Sequence, residues 1–277
     1  MKRYSIPYFM WMLVFIVLPL ILIVMLAFSD GMTTDGLEFS FSIENIKRVF
    51  DPVYLRIIFN SLVLAAVSTV ICIIIGYPVA YIIANSNKKY RNTLILLFVI
   101  PMWMNFLLRT YAWLSLLGSN GILNLFFGKL GLGPFDLLYN NKAILLGMVY
   151  NFLPFMVLPI YSVLIKIDKS LIEAARDLGA TTPTILRKVV VPLSLGGVVT
   201  GITMVFVPAV STFIISNLLG GNNFMLIGNV VEQQFRFTGD WNFGSAISLV
   251  LMVIILITMS ITSRVDSSGK QGGKGLW

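Results

Sequence analysis

Glu173, Arg176 and Asp177 set two carboxylates and a guanidinium within five residues of one another, and Arg187 and Lys188 follow shortly after. Such a cluster could do acid–base work, hold a metal or grip a partner. The rest of the chain argues against the first two. Its 277 residues include no histidine, the commonest metal ligand and the usual general base near neutral pH. The single cysteine, Cys72, lies within an apolar run and has no second thiol to pair with. No G-x-x-x-x-G-K-[ST] phosphate loop occurs; the closing SSGKQGGKGLW has those letters in the wrong spacing and reads as a solvated tail. The expectation is a chain with no catalytic residues, no metal and no cofactor of its own.

The elements that carry this cluster are unusually apolar. Hydrophobic residues make up 57% of the chain, charged residues 12%, and the mean hydropathy is +0.90, well above the apolar share of roughly 45–50% in soluble domains. Apolar runs near the ~20 residues that cross a bilayer recur at about 8–28, 57–84, 94–117, 143–165, 193–215 and 244–261. Hydrocarbon offers nothing to satisfy free backbone groups, so such runs must be helical. The fold class expected is all-α: a polytopic membrane protein with six transmembrane helices. The first run is too long for the apolar core of a signal peptide and is taken as an uncleaved helix.

Lysine and arginine give the orientation. Lys2, Arg3, Lys88, Lys89, Arg91, Lys166, Lys169, Arg176, Arg187, Lys188, Arg264, Lys270 and Lys274 fall in one set of connecting segments, together with only four acids, Asp168, Glu173, Asp177 and Asp266. Both termini and the charged loop are therefore expected in the cytoplasm. The net charge of +8 is a topology signal, and nucleic acid is not an expected partner.

The loop itself should hold two short helices. Ser170-Leu171-Ile172-Glu173 fits a capping box opening a helix at Leu171, and Gly179 suits the left-handed residue closing it after Leu178. Thr182-Pro183 reads as an N-cap followed by proline at the first helical position, and Pro192 as the end of that second helix before the fifth span. Leu171, Ala174, Ala175 and Leu178 share one face at i, i+3, i+4, i+7. The pattern fits either a helix resting on the membrane or its own bundle, or one that docks on a cytoplasmic partner.

The residues say more than the pattern. Glu173-Ala174-Ala175, then three residues, Gly179, then nine residues and Val189-Val190-Val191-Pro192, resemble the E-A-A…G…I-x-L-P loop of the membrane subunits of binding-protein-dependent ABC importers. Val189 and Val191 replace the usual isoleucine and leucine and keep their apolar character. The resemblance implies a type I (MetI-like) permease core over about 57–263, preceded by a first helix and external loop (1–56) and followed by a cytoplasmic tail (264–277). Residues 166–192 would be its cytoplasmic coupling loop. It implies that Glu173, Ala174, Ala175, Arg176, Asp177 and Gly179 meet or hinge against a separate ATPase. The partners implied are two copies of that ATPase, which use ATP and Mg, a second homologous permease, an extracytoplasmic binding protein and the lipid bilayer. The location implied is the bacterial cytoplasmic membrane.

Longer stretches narrow the family. GYPVAYIIA (76–84), IPMWMNFLLRTYAW (100–113), YNFLPFMVLPIYSVLIKIDKSLIEAARDLGA (150–180) and LLGGNNFMLIGNVVEQQF (218–235) are similar to the permeases of spermidine/putrescine importers. Permeases for iron, sulfate, thiamine or opines share the architecture and are the alternative. An ion-coupled secondary transporter is a remote one, because no internal repeat and no carboxylate well inside a span is visible.

A polyamine path calls for acceptors and aromatic faces. Asn105, Arg109 and Trp113 share a face of span three. Asn151, Phe155 and Ser162 share one in span four, where Pro154 and Pro159 should bend the helix. Thr200, Met204, Val207 and Ser211 share one in span five. Helix packing uses such stripes as often as a pathway does. Asn105, Tyr150, Asn151, Phe155, Thr200, Met204 and Ser211, with the outer-loop acids Glu232 and Asp240, form the candidate path. Trp103, Tyr111, Tyr150 and Trp241 fit an aromatic belt, and Arg109 is expected to snorkel or to pair with an outer acid.

Overall fold

The computed structural model describes residues 6–30, 40–221 and 224–271, with the side chains of Ile6, Phe9 and 265–271 left aside. Of the residues used above for orientation, Lys2, Arg3 and Lys274 lie outside the described residues, as do the side chains of Asp266 and Lys270, and Asn222 and Asn223 in the fourth family-like stretch.

The described backbone is helical apart from its connections and one antiparallel bridge, Ser29 with Phe41. In chain order, α1 covers residues 6–27, α2 is Glu44–Val49, α3 Pro52–Asn85, α4 Lys88–Trp103, α5 Phe106–Leu117, α6 Ile122–Lys129 and α7 Asn141–Leu164. Then come α8, Lys169–Asp177, α9, Thr182–Ser211, α10, Ile227–Gln233, and α11, Trp241–Gln271. By length and hydropathy α3, α7, α9, residues Met10–Ala27 and residues Trp241–Arg264 can each cross a bilayer. The third expected span is not one continuous helix: α4 and the run from Phe106 to Lys129 meet at a 94° bend. Pro101 lies just ahead of the break, and the Asn105 carbonyl-amide oxygen accepts the Leu107 N–H at 2.8 Å, so a fresh helix starts there.

The chain divides into two compact units. One comprises Met1–Ser61 and Met225–Leu256. Here the stacked rings of Phe28 and Phe41 (5.8 Å) flank the bridge, and Asn45 Nδ2 donates to the Ser29 carbonyl at 2.9 Å. The Phe243 ring takes Tyr54 edge-on at 4.8 Å and the Arg48 guanidinium at 4.0 Å. The start of α10 is anchored by the Ile227 N–H, which donates to Ser61 Oγ at 2.8 Å.

The other unit comprises Leu62–Phe224 and Ile257–Trp277, and its centre is the antiparallel pair α7 and α9. On α7 the buried Ile144, Met148, Phe152, Met156 and Ile160 recur every four residues. On α9 the buried Gly197, Gly201, Val205 and Ala209 do the same. A ridge of large side chains thus lies in a groove floored by small ones. The contact is close: a Cβ on Gly197 would stand 2.9 Å from the Pro159 carbonyl oxygen and 3.0 Å from Ile160 Cα. Met156 fills the space between two glycines, since a Cβ on Gly201 would meet its Sδ at 2.6 Å and one on Gly76 of α3 its Cγ at 3.0 Å. An unbranched thioether suits such a gap. Tyr77 of α3 and Ser194 of α9 add a hydroxyl–hydroxyl bond of 2.8 Å, and Thr203 Oγ1 donates to Thr262 Oγ1 of α11 at 3.2 Å.

The two glycines of α9 therefore predict different penalties. Gly197→Val presses on backbone that cannot turn aside and is expected to cost about 1–3 kcal/mol, the range for overpacked sites. Gly201→Ala meets the mobile end of Met156 and should cost clearly less. Thermal unfolding in detergent decides; equal losses for the two would show that α7 and α9 do not pack this way.

Candidate functional site

The connection between α7 and α9 carries the charged cluster. α8 begins two residues earlier than the capping-box reading has it, with Asp168 rather than Ser170 as its cap: Asp168 Oδ1 accepts the Ser170 N–H at 3.0 Å. Asp168 comes first in the chain and can reach the N–H two residues on, which leaves Ser170 inside the first turn. That N–H, with the Ser170 side chain adding to it, holds the Asp168 carboxyl below the ordinary carboxylate range. A lowered folded-state pKa means the cap is complete at neutral pH and fades as acid protonates the group.

Gly179 closes α8 as expected, at φ +78°. The Gly179 N–H donates to the Arg176 carbonyl at 2.8 Å and the Ala180 N–H to the Ala175 carbonyl at 3.0 Å, the paired bonds of a Schellman closure. The second helix opens at Thr182 with Thr181 as its N-cap, one residue ahead of the expected cap. It does not end at Pro192 either. It runs through to Ser211 because a wider turn, Leu186–Val190, precedes the proline. The Val191 N–H bonds to the Leu186 carbonyl five residues back, so the hydrogen-bond ladder is already shifted where the proline N–H is missing. α9 is thus a single lever from the loop into the span.

No residue of α8 is buried. Ile172 and Ala175, half-buried, form its inner side; Glu173, Ala174, Arg176 and Asp177 are exposed. Leu171 is 48% and Leu178 88% exposed. The Leu171–Ala174–Leu178 edge is uncovered, whereas Ala175, the fourth residue of the face expected from the sequence, lies on the half-buried inner side.

The candidate path residues divide differently from the expectation. Asn105 lies before α5 as its cap, and its carbonyl accepts the Arg109 N–H at 3.2 Å. Tyr150 packs edge-on against Trp113 at 5.3 Å. Asn151 is buried (1%), with Nδ2 donating to the Gly147 carbonyl at 2.9 Å and Oδ1 without a partner among the described residues; Phe155 is half-buried. Thr200, Met204 and Ser211 are exposed along α9, one residue and about 100° round from the glycine groove. Thr200 and Ser211 return their hydroxyls to carbonyls of their own helix, Gly196 at 2.8 Å and Val207 at 3.2 Å. In the other unit both acids are engaged: Glu232 with Arg236 at 2.8 Å, and Asp240 with Arg48 at 2.9 Å and with the Phe243 N–H at 3.0 Å. Arg109 does not snorkel; it is 8% exposed, its guanidinium 5.8 Å from the Phe106 ring and its Nε unpartnered among the described residues. The glycines 76, 197 and 201, which hold the spans beneath the loop, were not singled out from the sequence, although Gly197-x-x-x-Gly201 is a small-residue spacing that could have flagged them.

An all-helical polytopic chain with this loop between its packed spans is the membrane-spanning component of a transport system. The binding-protein-dependent transport system inner membrane component family matches residues 73–268, and the chain belongs to it. It is a multi-pass inner-membrane protein. The spermidine/putrescine transport system permease protein PotB of Haemophilus influenzae is 38% identical over 260 residues, 93% of this chain and 91% of that protein. PotB of Escherichia coli K12 is 36% identical over 258 residues, covering 92% and 94%. The fold is also that of a bacterial alginate ABC transporter solved with an alginate pentasaccharide-bound periplasmic protein, with TM-score 0.78 over 96% of this chain and 94% of that one at 17% identity.

A Cβ at Gly179 would meet open space, so substitution there reports backbone strain alone. Gly179→Ala is expected to destabilise the loop by roughly 1–2 kcal/mol and Gly179→Asn by less. Limited proteolysis between Leu178 and Thr182 is the measure, with faster cutting in the order Ala, Asn, Gly.

Proposed function

We propose that this chain is a permease subunit of an ATP-driven polyamine importer of the spermidine/putrescine type. The observation that carries the substrate is the 36–38% identity, along nearly the whole chain, to permeases of that name. On this reading residues 57–263 are the permease core and form half of the translocation path against a second, homologous permease. Both termini and residues 166–192 face the cytoplasm. Two copies of a separate ATPase bind ATP and Mg, and each permease presents its α8 to one of them. A solute-loaded extracytoplasmic binding protein docks on the other side. The chain hydrolyses nothing itself and has no nucleic-acid partner.

The uncovered face of α8 supports the ATPase contact. Leu171, Ala174 and Leu178 would enter a groove of the ATPase, with Ala174 small enough for close approach. Glu173, Arg176 and Asp177 would set register, and Gly179 would let the loop turn away. Closure of the ATPases on ATP would then push α8, and through α7 and α9 the spans. Such coupling requires that ATP and loaded binding protein favour the same conformation. Along the path, Thr200, Met204 and Ser211, with Asn105, Tyr150, Asn151 and Phe155, would offer weak neutral contacts. Glu232 and Asp240, already paired, would act at the outer mouth only if those pairs open. Selectivity would then rest mainly with the binding protein.

Spermidine uptake in cells lacking their own polyamine importers, supplied with the neighbouring subunits, tests both parts. Leu178→Asp and Glu173→Lys are expected to abolish uptake and to weaken ATPase copurification by roughly tenfold or more, the worth of one buried leucine, with insertion unchanged. Uptake retained in both variants would remove α8 from coupling. An intact complex that hydrolyses ATP yet takes up no spermidine or putrescine would overturn the substrate.

A further inference from the structure

A cavity of about 300 Å³ opens where α3 and α7 end and α4 and α8 begin. Lys88, Arg91 and Lys169 line its polar side, and Leu164, Ile165 and Ile172 its apolar side. Among the described lining residues none carries a carboxylate; Asp168 caps α8 but is not one of them. Lys88 and Lys169 each occupy the first residue of a helix, where the free N–H groups and the helix dipole already favour an anion. Two cations added to two helix N-termini repel one another unless a negative group sits between them. Arg91 is held in place, with Nη2 donating to the Ala84 carbonyl at 2.7 Å and the Ser86 carbonyl at 3.3 Å. The side chain so held is one of the three cations that line the cavity.

We propose that this cavity binds the phosphate of an anionic lipid head group. A phosphodiester supplies the negative charge that the three lining cations lack and acceptor oxygens for their N–H groups. The apolar wall formed by Leu164, Ile165 and Ile172 then meets the glycerol and the first methylenes. The position at the ends of two apolar spans places the cavity at the depth of lipid head groups rather than in bulk water. Because Lys169 and Ile172 belong to α8, the bound lipid braces the helix from its inner side while its outer edge stays free. That it does so on the ATPase side rests on the function proposed above; the binding itself does not.

Native mass spectrometry of the full chain, copurified with its neighbouring subunits, tests this with dioleoyl phosphatidylglycerol, dioleoyl phosphatidylcholine and soluble glycerol 3-phosphate. Phosphatidylglycerol is expected to be retained preferentially. Lys88→Gln/Lys169→Gln should weaken that retention by roughly 30-fold, two surface cations' worth. Lys89→Gln/Lys166→Gln, which removes two nearby cations that do not line the cavity, should leave it in place. Arg91→Gln gives a second reading if the lysine pair alone is too mild. Equal retention of both lipids, or retention surviving the cavity variants, overturns the site. Binding and competition by glycerol 3-phosphate at equal strength overturns the lipid and leaves a soluble phosphoester as occupant. Whether the ATPase remains in the same spectra is read separately, so a failed coupling reading and a failed lipid site give different results.

Discussion

Everything the loop can do depends on how closely α7 and α9 approach. In a bilayer lipid tails compete for apolar surface as well as any side chain does, so two spans are held by contact and not by exclusion of water. Contact of this quality needs a missing side chain. At Gly197 the neighbouring helix presents backbone, and at Gly201 and Gly76 a single methionine fills what the glycines leave. On the proposed function, a push on α8, which connects the ends of these two helices, would reach a packed pair. α9 reinforces this by starting at Thr182 and continuing to Ser211 without a stop at Pro192. The widened turn ahead of the proline preserves the lever.

α8 itself is divided. Ile172 and Ala175 are half-buried and belong to the inside, whereas Leu171 and Leu178 remain open. A helix of nine residues is too short to be stable on propensity alone, so its ends carry it: the Asp168 cap at one and the left-handed Gly179 at the other. That economy frees the middle of the helix for contact. Substituting the docking residues need not unfold the helix, and so docking can be separated from folding by experiment.

Much of this was legible in the residues, for identifiable reasons. Apolar runs must be helices in hydrocarbon, and the loop motif spans twenty residues, so the class of architecture and the presence of a short helix in the loop were readable. Gly179 was readable because few residues tolerate its φ. What escaped was decided by competition between equally good local signals. Asp168 and Ser170 both cap well, and only the fold selects the first; Thr181 and Thr182 present the same choice. Pro192 is a helix stop by rule, and only a π-type turn, which leaves no mark in composition, carries the helix past it. The break in the third span follows from Pro101 and an asparagine cap, yet hydropathy averages over both. Arg109 shows the limit of a default: an arginine near a helix end usually snorkels, and here it lies over an aromatic ring instead.

On the function proposed above, the electrostatics fit a path that marks its cargo only lightly. Glu232 and Asp240 each hold a guanidinium at salt-bridge distance, which removes two of the few fixed negative charges a polycation could meet. The uncovered stripe of α9 is neutral, and its hydroxyls bond back to their own helix. A deep carboxylate site would bind a polyamine tightly, and tight binding slows release on the far side; transit is favoured by contacts strong enough to enter and weak enough to leave. On that reading, a chain that leaves the choice of solute to a separate binding protein gains nothing from a strong internal site. It needs a stiff helix pair, a contact helix left open at one edge, and a path without traps.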